Sequence, residues 1–211
     1  MSIGSPLLLA VRAGLWVVHK PPGYLSHPGT GDHPDIVRWA VESQGAPESF
    51  APIHRLDRLT SGLVLCSPDA QVRRVFGIAF AERRVTKIYR ARVYGHTAPS
   101  GTIDAALDDT RAGRPLDAVS HFETLEQSAD GQPVTSLLEL RPETGRKHQL
   151  RKHLNLIGHP IVGDRVWRPS KKQRLRPAPT RLWLHAATLV LPDGQTYKAA
   201  LPAWLEARPC D

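Results

Sequence analysis

His54-Arg55-Leu56-Asp57-Arg58-Leu59-Thr60-Ser61-Gly62 runs directly into Leu63-Val64-Leu65-Cys66. One acidic residue stands between two arginines, small turn-forming residues follow, and then comes an apolar run of the kind a fully buried strand carries. Cations a few ångströms from a carboxylate favour its ionised form. Asp57 is thus suited to act as an anion or nucleophile and poorly suited to act as a general acid. Thr60-Ser61-Gly62 reads as a tight turn whose hydroxyls can bond nearby backbone groups, with a strand over 63–66. The same residues also suit a surface Arg-Asp-Arg ion pair beside a hairpin, and spacing alone does not separate the two readings.

Upstream, Leu15-Trp16-Val17-Val18-His19-Lys20 has the aromatic and β-branched content of a strand, ended by Pro21-Pro22-Gly23. His27 and His33 lie in a Gly/Pro-rich loop with no third ligand at a recognisable spacing, so a metal site is not expected. Asp35 precedes a helical pattern over 36–41. Downstream, Pro68-Asp69-Ala70 opens a second helix, with Val72, Val75, Phe76 and Phe80 spaced as one apolar face. Residues 85–95 alternate as a strand, with Val85, Lys87, Tyr89, Ala91 and Val93 on one side.

Residues 97–116 are rich in Gly, Pro, Asp and Thr, with one short strand near 102–103, and 108–115 take no assignment. Strands over 119–125 and 134–140 pair around a turn at Ala129-Asp130-Gly131. From Arg146 the period becomes helical, Leu150, Leu154 and Ile157 recurring at i, i+4 and i+7, and places His148 beside Arg151 on one face. Gly158-His159-Pro160 stops that helix and Ile161–Asp164 form a buried connection. Strands over 182–187 and 188–191, the turn Pro192-Asp193-Gly194 and the stretch 197–201 complete an α+β domain. Its central sheet is mixed but largely antiparallel, flanked by a few helices and loops. Residues 1–211 show no domain-separating linker and read as a single domain.

The chain has 211 residues, 41% hydrophobic and 23% charged, ordinary values for a globular protein with a real core. No apolar stretch approaches the roughly 18–20 residues that span a bilayer, and no basic n-region precedes Leu7-Leu8-Leu9, so the cytoplasm is the expected location. Cys66 and Cys210 share no metal-like spacing, and Cys66 falls in the apolar strand as a small buried residue. Net charge is +8, and between Arg141 and Arg181 twelve Lys and Arg meet only Glu143 and Asp164. One segment therefore carries more than the whole excess, the footprint of a polyanionic partner. Nucleic acid is favoured over a membrane surface because no amphipathic anchor accompanies it. The loop from Arg168 to Thr180 is the basic part best suited to phosphate contacts.

Six stretches in order resemble the RluA-like family of RNA pseudouridine synthases, from Trp16 to about Trp204. They are Val18–Gly23, His54–Gly62, Lys87–Gly95, Thr144–Arg151, Gly158–Asp164 and Arg181–Ala186. The resemblance implies a pseudouridine-synthase-like fold that isomerises uridine to pseudouridine in structured RNA (tRNA or rRNA, tRNA favoured) without cofactor or metal. It implies Asp57 as the catalytic aspartate, Tyr89 as the tyrosine stacked on the target uracil, and Arg146 as the arginine paired with Asp57. Arg55 would enter the RNA stack where the target nucleotide leaves it. Lys147, His148, Gln149, Arg151, Lys171 and Lys172 complete the expected RNA contacts. The chain starts too close to the first motif for the extra N-terminal module of some members, so a stand-alone catalytic domain, monomeric and without an obligate protein partner, is expected. Whether Asp57 attacks the sugar, attacks the ring or promotes proton loss is open. The competing classes are an inactive RNA-binding protein on the same fold, which should have lost Asp57, Tyr89 or Arg146, and a metal hydrolase. The latter is disfavoured because His148 and His153 are five apart, not four.

Overall fold

A computed structural model describes residues 4–29, 31–110, 112–128, 134–171 and 179–206. In chain order the elements are β1 (Leu7–Arg12), β2 (Leu15–Lys20), α1 (Ile36–Gln44), β3 (Ala51–Pro52), β4 (Ser61–Ser67), α2 (Ala70–Ala81), β5 (Thr86–Tyr94), β6 (Ser100–Asp104), β7 (Leu107–Asp109), β8 (Arg114–Leu116), β9 (Val119–Gln127), β10 (Thr135–Pro142), α3 (Gln149–Leu156), β11 (Leu184–Val190), β12 (Thr196–Lys198) and α4 (Ala203–Glu206). The class is α+β. The pairs β1–β2, β2–β4, β5–β10, β9–β10 and β6–β9 are antiparallel, and an isolated parallel bridge joins Leu25 and Asp35. The chain forms two compact units, residues 1–86 with 186–199, and residues 87–185 with 200–211. No linker in the sequence marks this division, because β11 runs from one unit into the other at His185.

In the first unit the strand order is β1-β2-β4-β11, with β3 beside β4 and β12 beside β11. Strand β2 spans the expected residues and sends Leu15 and Val17 into a core with Leu63, Leu65, Ala79, Val85 and Leu189. Helix α1 starts where Asp35 Oδ1 accepts the Val37 and Arg38 N–H groups at 2.9 and 2.8 Å. Helix α2 starts where Asp69 Oδ1 accepts those of Gln71 and Val72; both are side-chain caps of otherwise orphaned donors. Val72, Phe76 and Phe80 pack on the core as expected, but Val75 is 60% exposed. At 3.6 residues per turn it falls outside the stripe centred on Phe76 and Ala79.

Strand β1 was not anticipated. It is an edge strand with a bulge between Leu8 and Ala10, and its exposed positions Leu7, Leu9 and Val11 are apolar, so its sequence lacks the polar–apolar alternation of a half-buried strand. The turn expected at 60–62 lies earlier: the Thr60 N–H donates to the Asp57 carbonyl at 3.0 Å, and β4 begins at Ser61 with all seven residues buried. Gly62 has φ +118°, and a Cβ there would lie 2.2 Å from the Ala186 carbonyl oxygen. The close approach of β4 to β11 requires glycine.

In the second unit the strand order is β5-β10-β9-β6, and β7 and β8 form a separate hairpin over the stretch the sequence left unassigned. The turn expected at 129–131 lies outside the described residues. Tyr89 of β5 stands opposite Leu140, which stands opposite Phe122, so these three share a sheet face. Helix α3 lies on that side, since Gln149 Nε2 donates to the Ser120 hydroxyl (2.9 Å) and His153 Nδ1 bonds it (3.0 Å). The helix starts at Gln149, and His148 precedes it in the left-handed region at φ +58°. The expected His148–Arg151 pairing on one helical face is therefore corrected.

Gly62→Ala combines an unfavourable φ with a backbone clash and should lower the melting temperature by roughly 6 °C or more. A thermal scan showing an unchanged midpoint would contradict the packing described.

Candidate functional site

Asp57 sits on a short loop whose backbone is held from several sides within the first unit. Its side chain is half-buried, while Arg55 and Arg58 are exposed and Leu56 points inward at 4% exposure. The Ser26 hydroxyl donates to the Leu56 carbonyl (3.2 Å) and accepts the Leu56 N–H (3.0 Å), clasping the residue between Arg55 and Asp57. The Arg58 carbonyl accepts the Gly23 N–H at 2.8 Å and the Lys20 ammonium at 3.2 Å.

Lys20 is fully buried, and its ammonium also donates to the Tyr24 and Pro21 carbonyls at 3.0 and 3.2 Å. Three acceptors meet three N–H bonds. Burial pulls its pKa from 10.5 down to about 7; the Asp57 charge opposes this and Arg58 adds to it. At the other end of the loop His54 Nε2 accepts the Leu65 N–H at 3.0 Å, so that nitrogen carries no proton, and the ring lies 4.4 Å from that of Phe80. Lys20, Ser26 and His54 were not singled out from sequence. Only Lys20 left a signal there, a charged residue closing the aromatic and β-branched strand that begins at Leu15.

The second unit carries Tyr89 and Arg146. Tyr89 is half-buried on the face that also bears Leu140. Two residues earlier Lys87 reaches the Glu143 and Thr144 carbonyls at 3.5 and 3.4 Å, linking β5 to the turn that bears Arg146. Arg146 is half-buried and its Nε donates to the Asp117 carbonyl at 3.1 Å.

Gln149 and Arg151, expected as RNA contacts, are only 4% and 5% exposed. Both side chains bond inside the protein. Gln149 Oε1 accepts from the Thr144 hydroxyl (2.7 Å) and the Arg146 N–H (3.0 Å), while Nε2 donates to the Val119 carbonyl and the Ser120 hydroxyl (both 2.9 Å). This amide shapes the turn that presents Arg146. Arg151 makes a bidentate pair with Asp164 through Nε (2.7 Å) and Nη2 (2.9 Å). Burial pushes the Asp164 carboxyl up, but these bonds and the N–H groups of Val166 and Trp167 outweigh it and hold the group below the ordinary carboxylate range. Lys147 and Lys171 are exposed, as expected of an RNA surface, and His148 is half-buried with its ring against Trp167. Lys172 lies outside the described residues.

The sequence pattern described as RNA pseudouridylate synthase matches residues 14–156. The chain belongs to this family. As an RNA pseudouridylate synthase it is an isomerase that converts uridine to pseudouridine in RNA, and the matched region contains Asp57, Tyr89 and Arg146. It is 35% identical over 201 residues to the dual-specificity RNA pseudouridine synthase RluA of Escherichia coli (strain K12), covering 88% of each chain. It is 36% identical over 196 residues to tRNA pseudouridine synthase C of Yersinia pestis, covering 82% of this chain and 76% of that one. Among solved structures, human RNA pseudouridylate synthase domain containing 1 superposes with a TM-score of 0.78 at 25% identity, covering 96% of this chain and 85% of that one. Among the described residues no helix is long and apolar enough to cross a membrane.

The buried lysine makes stability depend on pH. Between its folded pKa of about 7 and its ordinary 10.5, the folded protein releases a proton that the unfolded chain keeps. The cost of burying the charge is complete below that window and is relieved as pH rises through it. Urea unfolding should show wild-type stability rising more steeply than that of Lys20→Met across the window; parallel pH profiles would contradict this.

Gln149→Leu strips four hydrogen bonds and leaves buried partners unmet, so stability should fall by roughly 1–3 kcal/mol. Turnover should fall more than RNA affinity, because the Arg146 turn loosens. A variant as stable as wild type would show that the amide does not hold the turn.

Proposed function

We propose that this synthase modifies a uridine in structured RNA, tRNA in preference to rRNA, with Asp57, Tyr89 and Arg146 as its catalytic residues. The observation that carries the reading is the half-buried Asp57 carboxylate on a clamped loop between two exposed arginines. A dual-specificity synthase and a tRNA synthase among the relatives support the substrate class.

The target base is stacked, so the nucleotide must first be flipped out, at a cost of a few kcal/mol. The exposed, planar Arg55 guanidinium suits the vacated place in the stack better than an ammonium would. In the flipped state Tyr89 supplies an aromatic platform for the uracil and a hydroxyl near it. Arg146 supplies the guanidinium of the catalytic set, a planar fork suited to carboxylate or phosphate oxygens. The C1′–N1 bond breaks, a C1′–C5 bond forms, and the C5 proton leaves as N1 gains one. Reactant and product are isomers, so no oxidant, reductant or group donor is needed. Lys147, His148, Lys171 and Lys172 serve the RNA surface, with Gln149 and Arg151 behind them as positioning residues. Both units act as one catalytic domain, in the cytoplasm and as a monomer. The family match supports the single catalytic domain, since it runs through residues of both units.

Asp57→Asn should abolish pseudouridine formation while leaving RNA affinity within about twofold, because phosphate contacts dominate binding. Tritium release from 5-tritiated uridine in RNA, together with filter binding, measures both. Equal loss of turnover and affinity would overturn the assignment.

A further inference from the structure

Among the aromatic side chains of the second unit that the catalytic reading does not use, Trp167 stands out by its setting. Trp167 is half-buried on the turn that follows Gly163-Asp164. That turn is fixed: Asp164 Oδ1 accepts the Val166 N–H at 2.9 Å and the Trp167 N–H at 3.1 Å. The ring is fixed as well. The Arg151 guanidinium, locked against Asp164, lies 4.8 Å from the indole centroid, and the His148 ring meets it edge-on at 5.6 Å and 70°.

One buried carboxylate therefore sets both the backbone and, through Arg151, the plane of the tryptophan. This differs from Trp183 of the same unit, which is 9% exposed and serves the core. The surroundings of Trp167 are cationic: Arg165, Arg168 and Lys171 are all exposed, and Val166 beside it is 68% exposed. A flat indole, already ordered and set within a rim of positive charge, has the parts of a single-stranded nucleic-acid subsite. The ring offers a π-face to a base, and the rim takes the flanking phosphates.

We propose that Trp167 is a stacking platform for an unpaired base of the RNA substrate, held in place by the Arg151–Asp164 pair and rimmed by Arg165, Arg168 and Lys171. The inference rests on the RNA-modifying function proposed above and adds a contact that the catalytic residues do not supply. Stacking is insensitive to salt, whereas phosphate contacts release counterions, so the two kinds of contact are separable by experiment.

The test is a titration of the full chain with a labelled single-stranded oligouridylate at several salt concentrations. Trp167→Leu should weaken binding by roughly 5- to 150-fold and leave the slope of log K against log salt unchanged, while Trp167→Phe should keep most of the affinity. Lys171→Gln should instead reduce that slope by about 0.7. RNA should quench tryptophan fluorescence more in wild type than in Trp167→Phe.

Wild-type affinity in Trp167→Leu would overturn the platform. If the leucine variant fails to fold, equal quenching in wild type and Trp167→Phe would overturn it instead. A wild-type protein that modifies RNA but shows no Trp167 effect removes only this inference. A wild type that neither binds nor modifies RNA removes the function on which it rests.

Discussion

The Asp57 loop depends on a buried ammonium. Lys20 enters the interior at the end of β2 and spends all three of its N–H bonds on the carbonyls of Pro21, Tyr24 and Arg58. A charge in that position is costly unless every donor is met. Meeting them fixes two segments at once: the Pro-Pro-Gly turn folds back over the lysine, and the Arg58 carbonyl is drawn to it. Ser26, three residues beyond that turn, then clasps Leu56, and His54 anchors the start of the loop to β4. Two exposed arginines and a half-buried aspartate emerge at set positions as a result. The Val18–Gly23 and His54–Gly62 stretches, separated by thirty residues of other structure, are two sides of one clamp.

The second unit uses polar burial in the same way. The Gln149 amide meets four partners and so defines the Thr144–Arg146 turn, and the Asp164 carboxylate meets Arg151 and two backbone N–H groups and so defines the Val166–Trp167 turn. In both cases a satisfied buried polar group supports a side chain that is itself less buried, Arg146 in one turn and Trp167 in the other. A site that must bind a polyanion and hold reacting atoms still gains from such supports, since loops alone are less exact than loops pinned to sheet and helix.

Local signals in the sequence located the elements whose physics is local. The aromatic and β-branched content of Leu15 to Lys20 gave β2 to the residue, and Asp35 and Asp69 were legible as helix starts because a capping carboxylate acts within three residues. Asp57, Tyr89 and Arg146 stood out through their motifs. What failed to show depends on distant partners. Gln149 and Arg151 look like surface residues in a polar, basic run; only Ser120, Thr144 and Asp164 reveal them as buried. The left-handed backbone of His148, which breaks the helical period one residue before α3, left no mark in composition. Strand β1 escaped because the exposed positions of this bulged edge strand are themselves apolar, and the β7–β8 hairpin because its strands are three residues each. Two compact units share β11, so no linker announced them.

The central claim is that this chain makes pseudouridine at defined positions in cellular RNA. The most direct measurement is a transcriptome-wide pseudouridine map of total RNA from cells with and without the gene. The account predicts that one uridine, or a small set in a shared structural context, loses its modification and regains it when the gene is restored. An identical map in both strains would contradict it.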